Sequence, residues 1–223
     1  MRWVLLLLAL ALPVRAEEVV LGLSQDEVAI TTSFDGSEIL IFGAVKREDA
    51  IPEGTPLGVI VTIAGPSEPV MVRRKAKRVG SWVYTVAVEI DAAPSFYAVA
   101  TSAPMTDVLN DVEDLRYKIS IPRAIRSVGA PMTITDSPSF TDALIRIRER
   151  QDQYQLLENA VIVDEQTLFR TRVELPAALT EGAYPTRIYL TREGAVISSY
   201  ETEIDVKKVG MERWLFTLSR ENA

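Results

Sequence analysis

The feature that most constrains the fold is a series of short, β-prone segments in the first hundred residues. These segments are rich in Val, Ile, Thr and aromatic residues, and turn-forming pairs such as Asp35-Gly36 and Gly65-Pro66 separate them. They are Val28–Thr32, Glu38–Val45, Leu57–Ala64, Val70–Arg74, Trp82–Ile90 and Phe96–Thr101. Short strands spaced about 8–12 residues apart, with no helix between them, predict an antiparallel sandwich of the immunoglobulin type.

One of these segments also predicts which of its side chains are buried. In Trp82–Ile90 every second residue is apolar, and residues two apart on a strand share a face. The apolar set is Trp82, Tyr84, Val86, Val88 and Ile90. We therefore expect this set to face the core, with Trp82 as a core aromatic.

The second half of the chain adds one helix to further strands. Residues 139–158 carry apolar side chains at helical spacing after Pro138, which suits a first helical turn. Strand signals return in Thr167–Leu175, Tyr184–Arg192 and Ala195–Val206, with Arg192-Glu193-Gly194 as a hairpin turn between the last two. The chain is thus predicted to be mainly β, with two immunoglobulin-like β-sandwich units at 17–117 and 118–208. The helix at 139–158 belongs to the second unit.

Residues 1–16 have the pattern of a secretory signal peptide. Arg2 precedes the apolar run Trp3–Leu12, and Val14-Arg15-Ala16 has the small-x-small pattern at which signal peptidase cleaves. The run is shorter than the roughly 20 residues that a membrane-spanning helix needs. We therefore expect cleavage before Glu17 and export from the cytoplasm.

Composition excludes several classes of function. The chain has 31 acidic and 24 basic residues and a net charge of −7, which falls to about −9 without residues 1–16. Such a chain repels nucleic acid. It contains no His and no Cys, so zinc sites of the usual type and His-dependent nucleophilic catalysis are excluded. There is also no calcium-loop pattern. We expect no metal, no cofactor and no enzymatic activity.

The densest charge feature is a basic run in this acidic chain. Five of the six residues from 73 to 78 are basic: Arg73, Arg74, Lys75, Lys77 and Arg78. They form the candidate binding site, for lipid headgroups, an anionic solute or an acidic patch on a partner. The alternative is a solvated hairpin whose charges protect a sheet edge from aggregation.

Acidic residues offer a weaker alternative. Glu201, Glu203 and Asp205 alternate along a predicted strand and share a face, and a carboxylate pair is what a glycosidase requires. A bare acidic strand face is more typical of solvated surface. A carboxylate-based hydrolase therefore ranks third among the possible functions.

Several segments, in this order, resemble a family of alphaproteobacterial transmembrane (envelope) proteins. They are Phe34-Asp35-Gly36, Ile41-Phe42-Gly43-Ala44, Arg73-Arg74-Lys75 with Trp82, Pro94-Ser95-Phe96-Tyr97-Ala98, Leu168-Phe169-Arg170, Leu175-Pro176, Gly182-Ala183-Tyr184 and Val209-Gly210-Met211-Glu212-Arg213. The resemblance implies an exported domain followed by one C-terminal membrane helix, often encoded beside exporters of the sulfite/sulfonate (TauE/SafE) type. It supplies no catalytic residues.

The resemblance also implies how the chain is anchored. Residues 209–223 would be a juxtamembrane segment before a C-terminal membrane helix that is absent from this chain, and Trp214 and Phe216 suit an interfacial position. We therefore expect the protein on the periplasmic side of the inner membrane, as a non-enzymatic accessory subunit of a multi-span exporter of small sulfur-containing anions. The alternative is a free periplasmic binding module or a pilus-type chaperone with two immunoglobulin-like domains.

Overall fold

The β-prone segments form strands, as the sequence predicts. The computed structural model describes residues 17–31, 34–47, 54–127 and 136–209. The predicted signal peptide and all of the juxtamembrane segment except Val209 lie outside these ranges. The strands in them are β1 (Glu18–Leu23), β2 (Glu27–Ile30), β3 (Ser37–Lys46), β4 (Gly58–Ala64), β5 (Ser67–Arg78), β6 (Ser81–Pro94), β7 (Tyr97–Thr101), β8 (Tyr154–Leu157), β9 (Ile162–Asp164), β10 (Leu168–Leu175), β11 (Gly182–Arg192) and β12 (Ala195–Lys208).

Helices are few and short in the same ranges. They are α1 (Met105–Val108), α2 (Asp111–Tyr117), α3 (Ile121–Ala124) and α4 (Pro138–Glu149). The mainly β prediction is therefore confirmed.

The strands form three sheets whose order is not the order of the chain. One sheet is β1-β3-β10-β9, the second is β2-β12-β11-β4-β7-β8, and β5 and β6 pair as a separate hairpin. Strands from before and after residue 117 share both larger sheets, because β3 pairs with β10 and β4 pairs with β11. The sheets thus do not divide into the units 17–117 and 118–208 that the sequence predicted. Such long-range pairing leaves no trace in the local pattern of side chains.

The larger sheets enclose one hydrophobic core between them. Ile39 and Ile41 of β3 and Phe169 of β10 pack with Ile188 of β11 and Ile204 of β12, all fully buried. Phe169, Thr171, Val173 and Leu175 point inward from β10, whereas Arg170, Arg172 and Glu174 point to solvent. The predicted alternation of this strand is confirmed.

A second core lies on the other face of the six-stranded sheet. Ile60 of β4 and Val99 of β7 contribute to it, and Phe140 and Leu144 of α4 cover it. Val88 of β6 also belongs to it, so the base of the β5–β6 hairpin packs on the body of the protein. β4 and β7 are therefore buried on both faces, which explains their continuous apolar sequences.

The predicted helix at 139–158 is wrong in its second half. Helix α4 ends at Glu149, Asp152 adopts a positive φ of 56°, and β8 then pairs in parallel with β7. The Tyr154 hydroxyl donates a 2.8 Å hydrogen bond to the carbonyl of Pro94. Residues 154–157 have apolar spacing that also suits a helix, but they pair with β7 at the edge of the sheet and form a strand.

Candidate functional site

All five basic residues of the predicted site lie on strand β5, which forms a hairpin with β6. The turn is Val79-Gly80, and both residues have positive φ, 48° and 81°, as a two-residue hairpin turn of the primed type requires. Val72 and Val88 anchor the base of the hairpin in the second core. Towards the turn the side chains are exposed, and Val79 is fully exposed at the tip.

A β-bulge at Thr85 determines which side chains share a face of this hairpin. Arg74 pairs with Val86, and the next residue, Lys75, pairs with Tyr84, so Thr85 has no partner opposite. Paired residues point to the same side, and consecutive residues on β5 alternate. Arg74 and Val86 therefore point to one side, and Lys75 and Tyr84 point to the other.

The bulge overturns the prediction that Trp82 is a core aromatic. On one side of the bulge, the side that packs on the body carries Val86, Val88 and Ile90. Beyond the bulge the alternation is reversed, so Trp82 and Tyr84 point away from the body. Trp82 is 69% exposed and Tyr84 is 62% exposed. The predicted apolar face of this segment is thus split between the core and solvent.

The exposed side of the hairpin combines cations with aromatic rings. We call Arg73, Lys75, Lys77, Trp82 and Tyr84 the outer face. The Arg73 guanidinium is 5.7 Å and the Lys75 Nζ 5.0 Å from the centroid of the Tyr84 ring, within the range of a cation–π contact. Lys77 is directly opposite Trp82 in the strand register.

The positive charge of the outer face is not neutralised locally. Between Glu68 and Glu89 the chain has five basic residues and no acidic one. Among the residues that the structure describes, no salt bridge involves Arg73, Lys75 or Lys77. A net positive, aromatic surface thus projects from an acidic protein.

Arg74 belongs to the same run but has a different role. Its Nη2 atom lies 2.7 Å from Asp136 Oδ2, and its guanidinium is 4.5 Å from the centroid of the buried Phe140 ring. Hydrogen bonds from Arg74 and Ser139 lower the pKa of Asp136 below its usual value. Arg74 therefore fixes the hairpin to the start of α4. Arg78, opposite Ser81, also alternates away from the outer face.

The structure thus brings three of the five predicted site residues together and separates Arg74 and Arg78 from them. Sequence analysis missed Trp82 and Tyr84 as members of the surface. It could find the basic run because charge is visible residue by residue. It could not place the aromatics because the bulge has no sequence signature there.

Two of the three carboxylates that suggested a hydrolase have structural partners. Glu201 Oε2 lies 3.7 Å from Arg187 Nε, and Asp205 Oδ2 lies 2.6 Å from Lys207 Nζ. Across the described residues, no group of three or more Asp or Glu side chains is arranged to hold a metal ion.

Two deeply buried tyrosines also have structural roles. Burial raises the pKa of Tyr154 to about 12 and raises that of Tyr97 further. The Tyr97 hydroxyl donates a 2.8 Å hydrogen bond to the carbonyl of Ile119, as Tyr154 does to Pro94. Both phenols therefore remain protonated and hold backbone segments against the six-stranded sheet.

A cleft elsewhere on the protein carries the opposite charge. It has a volume of about 860 Å³ and lies between the β2–β3 connection and the end of β10. Its charged lining residues are Asp35, Glu38, Asp152, Glu174 and Arg172. Glu38 pairs with Arg172 at 3.6 Å. This acidic cleft does not suit an anionic ligand, so the hairpin remains the candidate site for one.

Comparison with known proteins identifies a family. The family model described as "Putative transmembrane protein (Alph_Pro_TM)" matches residues 18–223, which is nearly all of the chain after the predicted signal peptide. No curated protein matches the sequence. None of the helices in the described ranges is long and apolar enough to cross a membrane.

Proposed function

The chain belongs to this alphaproteobacterial transmembrane protein family, and from that membership and the hairpin we propose a non-enzymatic role at the periplasmic side of the inner membrane. The protein is an accessory subunit, anchored by a C-terminal membrane helix, of a multi-span exporter of small sulfur-containing anions. Its basic hairpin is the element that binds an anionic surface at the membrane.

One observation carries this proposal. The outer face presents Arg73, Lys75 and Lys77 beside two exposed aromatic rings, on a protein whose net charge is −7. A local positive patch on an acidic molecule attracts anionic surfaces only where the patch faces them, so it orients the protein as well as binding it. This is the behaviour expected of a docking element.

A role in binding fits the chemistry of the chain better than a role in catalysis. Without His or Cys, an enzyme would depend on carboxylates, Lys or Tyr. Glu201 and Asp205 are paired with cations, and the Tyr97 and Tyr154 hydroxyls are bound to carbonyls. The family resemblance is the basis for proposing a sulfur-anion exporter as the partner.

The export step has a direct test. N-terminal sequencing of the protein from the native envelope should give Glu17 as the first residue, since Val14-Arg15-Ala16 fits signal peptidase. An intact Met1 on protein from the cytoplasmic fraction would contradict a periplasmic location.

The partnership is tested by co-purification with a sulfite/sulfonate-type exporter from the same genome. The full chain is compared with a triple variant of the outer face, Arg73→Gln, Lys75→Gln and Lys77→Gln. A matched control removes three exposed charges elsewhere, with Arg116→Gln, Arg170→Gln and Arg172→Gln. We expect the exporter to be recovered with the wild type and the control and to be reduced with the outer-face variant.

The alternative function predicts a different result. A free periplasmic binding module or pilus-type chaperone with immunoglobulin-like sheets would bind an extended peptide along a sheet edge. Strand β1 is such an edge in the four-stranded sheet, and its Val20 is exposed. No exporter recovery with any variant, together with peptide binding that a β1 substitution abolishes, would favour this alternative.

A further inference from the structure

We propose that the outer face of the hairpin binds anionic phospholipid headgroups, with Trp82 and Tyr84 entering the membrane–water interface. The inference rests on the proposed function, because it names the partner of the same surface. It commits to the lipid bilayer itself and not to an acidic protein or a free anion.

Charge selects the face that meets the membrane. The chain as a whole carries −7, so an anionic bilayer repels most of its surface. The segment between Glu68 and Glu89 differs from this average, with five basic residues and no acidic one. Of these five, Arg73, Lys75 and Lys77 point to the outer face, where lipid phosphates would meet them together.

The aromatic residues suit a lipid surface. Trp82 and Tyr84 are 69% and 62% exposed, although each carries a large apolar ring that favours partial burial. Rings with an apolar body and a polar edge are enriched at the level of membrane headgroups. Because Arg73 and Lys75 lie near the Tyr84 ring, their charges meet phosphates at the depth where this ring enters the interface.

The way the hairpin is held makes this face available. Arg74 and Val86 point to the opposite side, where Arg74 binds Asp136 and contacts Phe140 of α4. The hairpin therefore has one side fixed to the body, and among the described residues its other side is exposed. Val79, fully exposed at the turn, extends the apolar part of the free surface to the tip.

The first test measures binding to vesicles. The chain without residues 1–16 is sedimented with vesicles of neutral phosphatidylcholine or of phosphatidylcholine containing 30% phosphatidylglycerol. We expect binding to the anionic vesicles and an about 100-fold loss for the Arg73→Gln, Lys75→Gln, Lys77→Gln variant, since three cations near the surface are removed. The Arg116→Gln, Arg170→Gln, Arg172→Gln control should bind like the wild type.

The second test shows whether Trp82 itself enters the interface. The sequence has three tryptophans, so removal of residues 1–16 together with Trp214→Phe leaves Trp82 as the sole tryptophan, whose emission can be excited selectively. Its emission should shift to shorter wavelength with anionic vesicles and become protected from iodide. A separate Trp82→Ala, Tyr84→Ala variant should bind more weakly while keeping its thermal stability, because both rings lie outside the cores.

Several outcomes overturn the inference. The first is equal binding of the outer-face variant and the control variant to anionic vesicles. The others are an unchanged Trp82 emission and equally strong binding to neutral and anionic vesicles. If vesicle binding fails but the outer-face variant alone loses the exporter, the partner is an acidic protein surface and the proposed function survives. If vesicle binding holds but no exporter co-purifies, the lipid inference stands and the exporter proposal fails.

Discussion

Glu17 and Arg192 are 175 residues apart in the sequence and joined by a 2.8 Å hydrogen bond from Arg192 Nη2 to Glu17 Oε1. The same carboxylate oxygen accepts a 2.8 Å bond from Arg47 Nε, and all three side chains are largely buried. Arg47 also donates to the carbonyl of Gln166. The residue predicted to begin the mature chain is thus tied to the ends of β3 and β11 and to the β9–β10 turn.

Removing the charge of Glu17 should destabilise the fold. The side chains of Arg47 and Arg192 are only 9% and 12% exposed. Glu17→Gln removes the anion that pairs with both, so we expect a loss of about 1.5–3 kcal/mol in the free energy of unfolding. The control is Glu18→Gln, since Glu18 is 70% exposed and its 3.6 Å pair with Lys46 lies in solvent. It should change stability by less than about 0.5 kcal/mol. Urea denaturation measures both, and equal effects would contradict the role of this cluster.

The same carboxylate should contribute to the acid sensitivity of the protein. Burial alone would raise the pKa of Glu17, but hydrogen bonds from Arg192 and Arg47 outweigh it and lower the pKa. A pKa that is lower in the folded state than in the unfolded chain gives stability above the unfolded value of 4.5, and this stability is lost as the pH falls through the folded pKa. Between pH 5 and pH 3 the wild type should therefore lose more stability than Glu17→Gln. Parallel pH curves would contradict this prediction.

Gly43 should be intolerant of a side chain because of the ring opposite it. Gly43 on β3 pairs directly with Phe169 on β10, and a Cβ at this position would lie 2.5 Å from Phe169 Cζ and 2.8 Å from the carbonyl oxygen of Val20. Gly43→Ala should therefore cost about 1–3 kcal/mol in the free energy of unfolding. In the double variant Gly43→Ala, Phe169→Leu the ring is replaced by a smaller side chain, which removes the clash with Phe169 but not the clash with the Val20 carbonyl oxygen. The double variant should thus be more stable than the sum of the single effects predicts, and strict additivity would refute the ring contact as the cause.

Arg73 and Arg74 are adjacent in the sequence, but mutating Arg74 should affect stability and mutating Arg73 should affect binding. Arg74→Gln breaks the contact with Phe140, for which about 0.5–1 kcal/mol is expected, and also removes the partner of Asp136. It should lower the melting temperature and leave the outer face intact. Arg73→Gln should change the free energy of unfolding by less than about 0.5 kcal/mol, so the melting temperature should stay nearly unchanged. The same variant should bind anionic vesicles more weakly. Equal melting temperatures for the two variants would contradict the assignment.

The basic part of the candidate site was predictable from the sequence, and its aromatic part was not. Five charges in six residues are visible without any structure. Strict alternation placed Trp82 with Val88 and Ile90, but the extra residue Thr85 reverses the phase beyond it. A bulge depends on the pairing of two strands, so one strand's side-chain pattern cannot reveal it.

The sequence by itself determined most of the strands and the turns between them, because side-chain period and turn chemistry act over a few residues. The alternation of β10 and the positive φ of Glu193 and Gly194 between β11 and β12 follow from it directly. Only the tertiary structure decided that β3 pairs with β10 and β4 with β11, and that the apolar segment after Glu149 forms the strand β8. These outcomes depend on which distant surfaces bury each other best. The free energy of that burial is gained only when the folded chain brings the surfaces together, so no local pattern shows it.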